Sequence, residues 1–199
     1  MKMAEETVGD SEIRDALSRF ISNKYKDKTS TFLIEELGLC RGQVRVDFVV
    51  VERLLHGFEI KSDKDDLRRL TRQVDFYSRV LDKATIVVGT RHLIKMQNSV
   101  PDWWGILCYE HKANGLHFNT IRLERKNPQR DPRSLVELLW LDEAIALLEG
   151  KNAAMGVRSK PRRYVWDKVC RYFEVEEIAK NVREVLKERV MTRALQQPS

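Results

Sequence analysis

The chain has 199 residues, 42% hydrophobic and 33% charged, with a formal net charge of +6, enough for one ordinary domain with a core plus an appendage. No stretch approaches the roughly 20 apolar residues that span a bilayer. The first ten residues lack an apolar signal region, so a cytoplasmic protein with no membrane partner is expected. Cys40, Cys108 and Cys170 lie far apart, and His56, His92, His111 and His117 form no HxxxH or HxH pair. That argues against a disulfide framework and an imidazole-bound or Cys-rich zinc site, and leaves a hard, oxygen-bound cation as the metal to expect.

In chain order, Ile13, Leu17 and Phe20/Ile21 are spaced for a helix that Ser11 would cap. "STFLIEEL" reads as a strand. "QVRVDFVVVERLLHGFEIKS" reads as two strands joined near Glu52–Leu55, because β-branched residues dominate both flanks. A helix is predicted from about Asp65 to Leu81, with Ser62 or Asp63 as its cap and Asp65 and Asp66 at its positive end. "ATIVVGT" is a buried strand, "RHLIKMQNSV" a short helix stopped by Pro101, and "WWGILCYE" with "LHFNTIRLER" a hairpin turned at Asn114-Gly115. "RKNPQRDPR" reads as a linker. Beyond it, Ser134 and Glu137 suggest a capping box for a helix 134–149 ending at Gly150, and two further helices are predicted over 162–173 and 175–194. The expectation is therefore an α/β domain over 1–125 and a basic helical extension over 126–199.

Charge follows that division. Residues 1–124 carry 20 basic and 19 acidic side chains, and residues 125–199 carry 16 and 11. "GVRSKPRR" holds Arg158, Lys160, Arg162 and Arg163 without an acid, which reads either as a solvated loop or as a binding segment for a polyanion, nucleic acid being the commonest. Helix 134–149 is apolar around much of its circumference, as a helix buried against a second copy in a homodimer would be.

The chemistry concentrates in "VRVDFVVV" and "FEIKSD". An aspartate amid valines is costly if buried without a partner. On one strand Glu59 and Lys61 share a face. They face water on the open side of a sheet, or they share a site with Asp47 on the neighbouring strand, since side chains on one face of paired strands stand roughly 5 Å apart. In the second case Asp47 and Glu59 hold one Mg²⁺ or Mn²⁺ through oxygens, and Lys61 orients or helps deprotonate an attacking water and offsets charge growing on a phosphate.

Asp47 followed after a hairpin by Glu59-Ile60-Lys61 resembles the signature of the PD-(D/E)XK nuclease superfamily, with Val46 where the name has proline. The run "ELGL…RVDFVVV…GFEIKSDKDDLRRLTRQVDFYSRV" is similar to a poorly characterised family of small bacterial proteins assigned there, and "SKPRR" and the helical tail extend the likeness over most of the chain. The resemblance implies a restriction-endonuclease-like core, a mixed central sheet flanked by helices, with a C-terminal helical extension. It implies Asp47, Glu59 and the Ile60 carbonyl as metal ligands and Lys61 as the residue assisting water. A further acid would be Glu36 or Glu12, with Glu36 favoured. Gln73 and Tyr77, one turn apart, match the QxxxY feature of RecB-like members, and Arg69 extends that polar ridge toward DNA, although Tyr77 also fits a core aromatic with its hydroxyl satisfied. The implied activity is a Mg²⁺- or Mn²⁺-dependent deoxyribonuclease. The alternative is a nucleic-acid-binding or partner-binding protein that keeps the fold without cleaving.

Overall fold

The computed structural model of the protein describes residues 9–26 and 30–196. Its centre is a six-stranded mixed sheet in the order β1 (Phe32–Leu39), β2 (Val44–Val51), β3 (Leu55–Lys61), β4 (Lys83–Gly89), β5 (Gly105–Lys112), β6 (Gly115–Arg122). The β1/β2, β2/β3 and β5/β6 pairs are antiparallel, whereas β3/β4 and β4/β5 are parallel. Parallel neighbours need crossover connections, and α2 (Leu70–Val80) and α3 (Thr90–Ser99) supply them. The expected α/β architecture, a mixed sheet with flanking helices and C-terminal helices, is the one observed.

Two buried clusters cover the two faces. Helix α1 (Asp10–Tyr25) lays Ile13, Leu17 and Ile21 on Phe48, Val50, Phe58, Ile60 and Val87, and each such side chain contributes roughly 1.5–3 kcal/mol by leaving water. The opposite face carries α2, Met96 of α3, and the C-terminal helices α4 (Pro132–Val136), α5 (Leu141–Glu149), α6 (Arg162–Tyr172) and α7 (Val175–Gln196). On that face Gly57 is pinned by close approach, because a Cβ there would stand 2.5 Å from Leu81 Cδ1.

Several local expectations are corrected. Gly9, not Ser11, is the N-cap of α1. The helix expected from Asp65 begins later: Asp65 accepts hydrogen bonds from Ser62 N and Oγ, and Asp66 caps a 3-10 turn, Leu67–Arg69, that feeds α2. Residues 134–149 are two helices. Asp131 caps α4 through Ser134 N, with Pro132 in its first turn, and the chain breaks before Trp140, whose amide donates to Glu143. Arg189 of α7 stabilises the break by bonding both the Leu138 carbonyl and the Glu143 carboxylate. The apolar residues Leu135, Val136, Leu138, Ile145 and Leu148 are buried in the protein's own core, so the dimer surface expected on this helix is already covered. The segment read as a linker has no regular structure, yet it is anchored. Asn127 donates to the Ser78 and Leu81 carbonyls, and Arg130 pairs with buried Asp82 at 2.6 Å.

His56 is fully engaged in this framework. Its ring bonds Tyr25 Oη at 3.0 Å and Thr85 Oγ1 at 2.8 Å and stacks on Phe58 at 4.2 Å. Burial lowers its pKa from 6.5 to about 3 despite nearby Glu124. The unfolded chain therefore takes up a proton between those values that the folded protein refuses, and stability is lost as pH falls below about 6.5. In urea titrations from neutral to mildly acidic pH, wild-type stability should fall more steeply than that of His56→Gln, by up to about 1.4 kcal/mol per pH unit.

Candidate functional site

The site forms where β1, β2 and β3 depart from regular pairing. Glu35 lies opposite Phe48 and Leu37 opposite Val46, which sets Glu36 opposite Asp47. Phe48 lies opposite Phe58, and one further step sets Asp47 opposite Glu59. Three carboxylates thus share one level across three strands. The main chain yields there: Glu36 has φ +55°, uncommon for a residue with a Cβ. The Ile60 amide donates to Asp47 Oδ2 at 2.7 Å, so a side chain stands in for a ladder carbonyl and the β2/β3 pairing opens.

Exposure rises along the row, from Glu59 (4% of its side chain) to Asp47 (21%) to Glu36 (43%). Glu59 is held from the α2 face. Lys61 Nζ lies 2.6 Å from Glu59 Oε1, Gln73 Nε2 donates to the same oxygen, and the Tyr77 hydroxyl donates to Oε2. Tyr77 Oη also lies 2.7 Å from the Arg45 carbonyl, and its ring stacks on Trp104. The hydroxyl is satisfied as a core tyrosine requires, and it is spent on the site's own acid. Burial, then the neighbouring charge of Asp47, pushes the Glu59 carboxyl above its ordinary pKa. Burial also raises Asp47, while the Ile60 amide and Arg14 pull the other way. Tyr77 is driven far up by burial and by Glu59, so it stays a donor.

Asp47 and Glu36 are held from the α1 face. Arg14 Nη1 is 2.9 Å from Asp47 Oδ1, Nη2 is 2.7 Å from Glu36 Oε1, and the guanidinium lies over the Phe48 ring. Sequence reasoning missed Arg14. Its one signal is its place beside Ile13, at the margin of the apolar stripe of α1. Glu12, the other acid considered, is exposed and stands 3.6 Å from His111 rather than in the row. Arg69 is exposed at the N-cap of α2. Among the basic residues of the tail, Arg158 pairs with Glu149 at 2.5 Å, Lys160 lies over the Tyr164 ring, and Arg162 and Arg163 open α6. His117, half-buried, bonds Asn114, and Trp103 and Trp104 are buried in packing.

The donor set can be weighed against a metal ion. Its oxygens are of the kind Mg²⁺ and Mn²⁺ take, and Gln73 Oε1 is buried beside Glu59 without a hydrogen-bond partner. Among the described residues, no group of three or more His, Cys, Asp or Glu side chains is gathered tightly enough to hold a metal by itself. The cation now shared by two of the acids is the Arg14 guanidinium. The residues fit a divalent ion in type, with Arg14 as its competitor.

A model of the family described as Bacteriophage P4 protein cII matches residues 3–196. Protein cII of Enterobacteria phage P4 is 26% identical over 120 residues, covering 60% of this chain and 45% of that protein, so the match spans under half of the relative's length. Among solved structures, the SPO1766 protein of unknown function from Silicibacter pomeroyi aligns over 73% of this chain and 94% of its own, with 16% identity and a TM-score of 0.43. SfsA of Pyrococcus furiosus, in a structure with Ca²⁺, aligns over 60% and 66%, with 14% identity and a TM-score of 0.36. Neither likeness is close enough to bear on function.

The buried Glu59–Lys61 pair has a measurable signature. Glu59→Gln leaves an ammonium buried without its carboxylate and should cost about 3–5 kcal/mol in urea denaturation. Adding Lys61→Met should restore part of that loss, with a coupling of about 1–3 kcal/mol in the double-mutant cycle. Additive single losses would mean that the two groups do not depend on each other.

Proposed function

Since the chain belongs to the bacteriophage P4 protein cII family, we propose for this member a metal-dependent nuclease activity, the hydrolysis of DNA phosphodiester bonds with an activated water. The observation that carries this reading is the buried Lys61–Glu59 pair beside Asp47, at the place where Asp47 takes the Ile60 amide. A lysine, two carboxylates and an opened strand pair have no packing purpose that apolar residues would not serve at lower desolvation cost.

Asp47, Glu59 and the Ile60 carbonyl are the groups that would hold Mg²⁺ or Mn²⁺, with Glu36 as a further acid. When bound, the ion supplies a polarised water and a counter-charge for phosphate oxygens. The protein's own groups do the rest. Gln73 and Tyr77 fix both Glu59 oxygens, so the carboxylate needs no reorganisation when substrate arrives. Lys61, steered by Glu59, presents its remaining N–H donors to a water or a phosphate oxygen. The exposed Glu36 end of the row leaves β1 as the side of approach.

A second reading is favoured by Arg14, which neutralises two of the acids: a nucleic-acid-binding protein that keeps the fold and does not cut. Cleavage assays on supercoiled, linear and single-stranded DNA and on RNA, with Mg²⁺ or Mn²⁺, separate the two. Asp47→Asn and Lys61→Ala should each lower the rate at least about a hundredfold while melting cooperatively. Wild-type cleavage that both variants retain would assign the activity to a contaminant and favour the binding reading.

Arg14 and a divalent ion compete for Asp47 and Glu36 on the nuclease reading. Arg14→Met, which keeps the stem over Phe48, should therefore bind Mn²⁺ more tightly than wild type in calorimetry. Unchanged Mn²⁺ affinity would mean that the ion, if bound, lies elsewhere.

A further inference from the structure

Adjoining concavities surround the β1–β2 turn. Three adjoining concavities of about 440, 580 and 380 Å³ all include Arg41 in their walls. That residue sits in an uncommon turn. Cys40, Arg41 and Gly42 are consecutively left-handed, with φ of +49°, +60° and +79°, a conformation that suits only the glycine. The turn is held by the amides of Gly42 and Gln43, both donating to the Leu39 carbonyl, and Cys40 is buried beneath it. The exposed Arg41 is the residue this strain displays, and strain of this kind gathers at ligand-holding positions.

Across the groove, Arg162 and Arg163 open α6, and the Arg162 guanidinium lies 5.5 Å over the Trp166 ring. Three carboxylates also line this surface, and each is already engaged. Arg133 bonds both Glu137 and Asp167, while Ser134 N and Oγ donate to Asp131. Among the described residues, Arg41, Arg162 and Arg163 make no ion pair. The charges left free in the groove are all positive.

We propose that this groove binds the sugar-phosphate backbone of the nucleic acid, with Arg41, Arg162 and Arg163 each taking a phosphate. Planar guanidiniums suit phosphate oxygens, and the first amides of α6, which no side chain caps, add donors of the same kind. The groove joins the carboxylate row through β2. Gln43 lines one concavity and accepts from Arg72 at 2.6 Å, and β2 runs from Val44 to Asp47 immediately beyond. At about 3.3 Å per residue, Arg41 lies within roughly 20 Å of Asp47, about six base-pair steps of a duplex. The groove therefore holds backbone to one side of the scissile phosphate. This deepens the nuclease reading and rests on it for the identity of the ligand, whereas the binding itself is measured apart from cleavage.

The experiment is fluorescence anisotropy with a labelled DNA duplex, in EDTA, on an Asp47→Asn background, over a range of salt concentrations. Arg41→Gly tests the turn without threatening the fold, since glycine is at ease at φ +60°, and its melting temperature should be held. Arg41→Gly and the pair Arg162→Ala/Arg163→Ala should each weaken binding about tenfold. Each should also flatten the slope of log affinity against log salt, by about 0.9 for every phosphate no longer neutralised. Arg171→Ala removes the same charge from the far end of α6 and should bind as the parent does. Unaltered affinity and slope in Arg41→Gly, an equal loss in Arg171→Ala, or no binding by the parent would each overturn the proposal. If Asp47→Asn cleaves DNA like wild type while Arg41→Gly loses binding, the nuclease reading falls and the groove stands.

Discussion

A carboxylate buried in the centre of this fold, Glu59, constrains the elements around it. An unpaired carboxylate in such a place would cost several kcal/mol or be forced to take a proton, and three side chains are turned toward it. Lys61 reaches back along β3, and Gln73 and Tyr77 reach down from α2. Tyr77 also places its hydroxyl oxygen 2.7 Å from the Arg45 carbonyl of β2, so the surroundings of one acid bring two strands and a helix together. The face of α2 that meets the sheet, and hence the crossover from β3 to β4, is set by where those donors must stand.

The same constraint explains why regular pairing ends beside it. With Glu59 committed to α2, Asp47 at the same level is bonded from the other face by Arg14 and takes the Ile60 amide as its second partner. Glu36 completes the row only by adopting a left-handed backbone. The cost of opening the ladder at β2/β3 is met by charged hydrogen bonds, roughly twice as strong as neutral ones. What results is a graded row of acids, locked at its buried end and held at its exposed end by one arginine on α1. The buried end is preorganised. The exposed end can change partner by releasing a single side chain.

Much of this is legible in the sequence. The valine-rich strands, the helix carrying Gln73 and Tyr77, the Asn114-Gly115 turn and the two last helices follow from periodicity and turn chemistry, and an aspartate among valines marks the site. Fold and expectation part where tertiary interactions outweigh local signals. Asp65 spends its carboxylate on Ser62, so the helix starts beyond it. Ser134 and Glu137 look like a capping box, yet Asp131 takes the cap and Arg189, far along the chain on α7, stabilises the break that follows. The apolar surface of 134–149 suggests a second copy because a sequence does not say which of its own helices will cover a face. Arg14 and Arg41 are invisible for a related reason: each matters through the residue it meets across the fold, not through its neighbours in the chain.

A second buried acid links the groove to the sheet. Asp82, at the start of β4, accepts from the Leu55 amide at 2.8 Å and pairs with Arg130 and, from α7, Arg183. Those arginines tie the C-terminal helices to the end of a central strand, and beyond them α4 and α7 pack together and α6 lies against α4 and α5. The start of α6 is thereby fixed opposite the β1–β2 turn. The start of α6 is held to α4 by Arg133, which bonds Asp167 and the Arg163 carbonyl, and behind that contact stands the ion-pair network of Asp82, at the opposite end of β3 from Lys61. Weakening Asp82 would loosen the wall of the groove while leaving Glu59 and its donors in place. The fold holds its row of carboxylates and its positive groove by separate buried acids joined through one sheet.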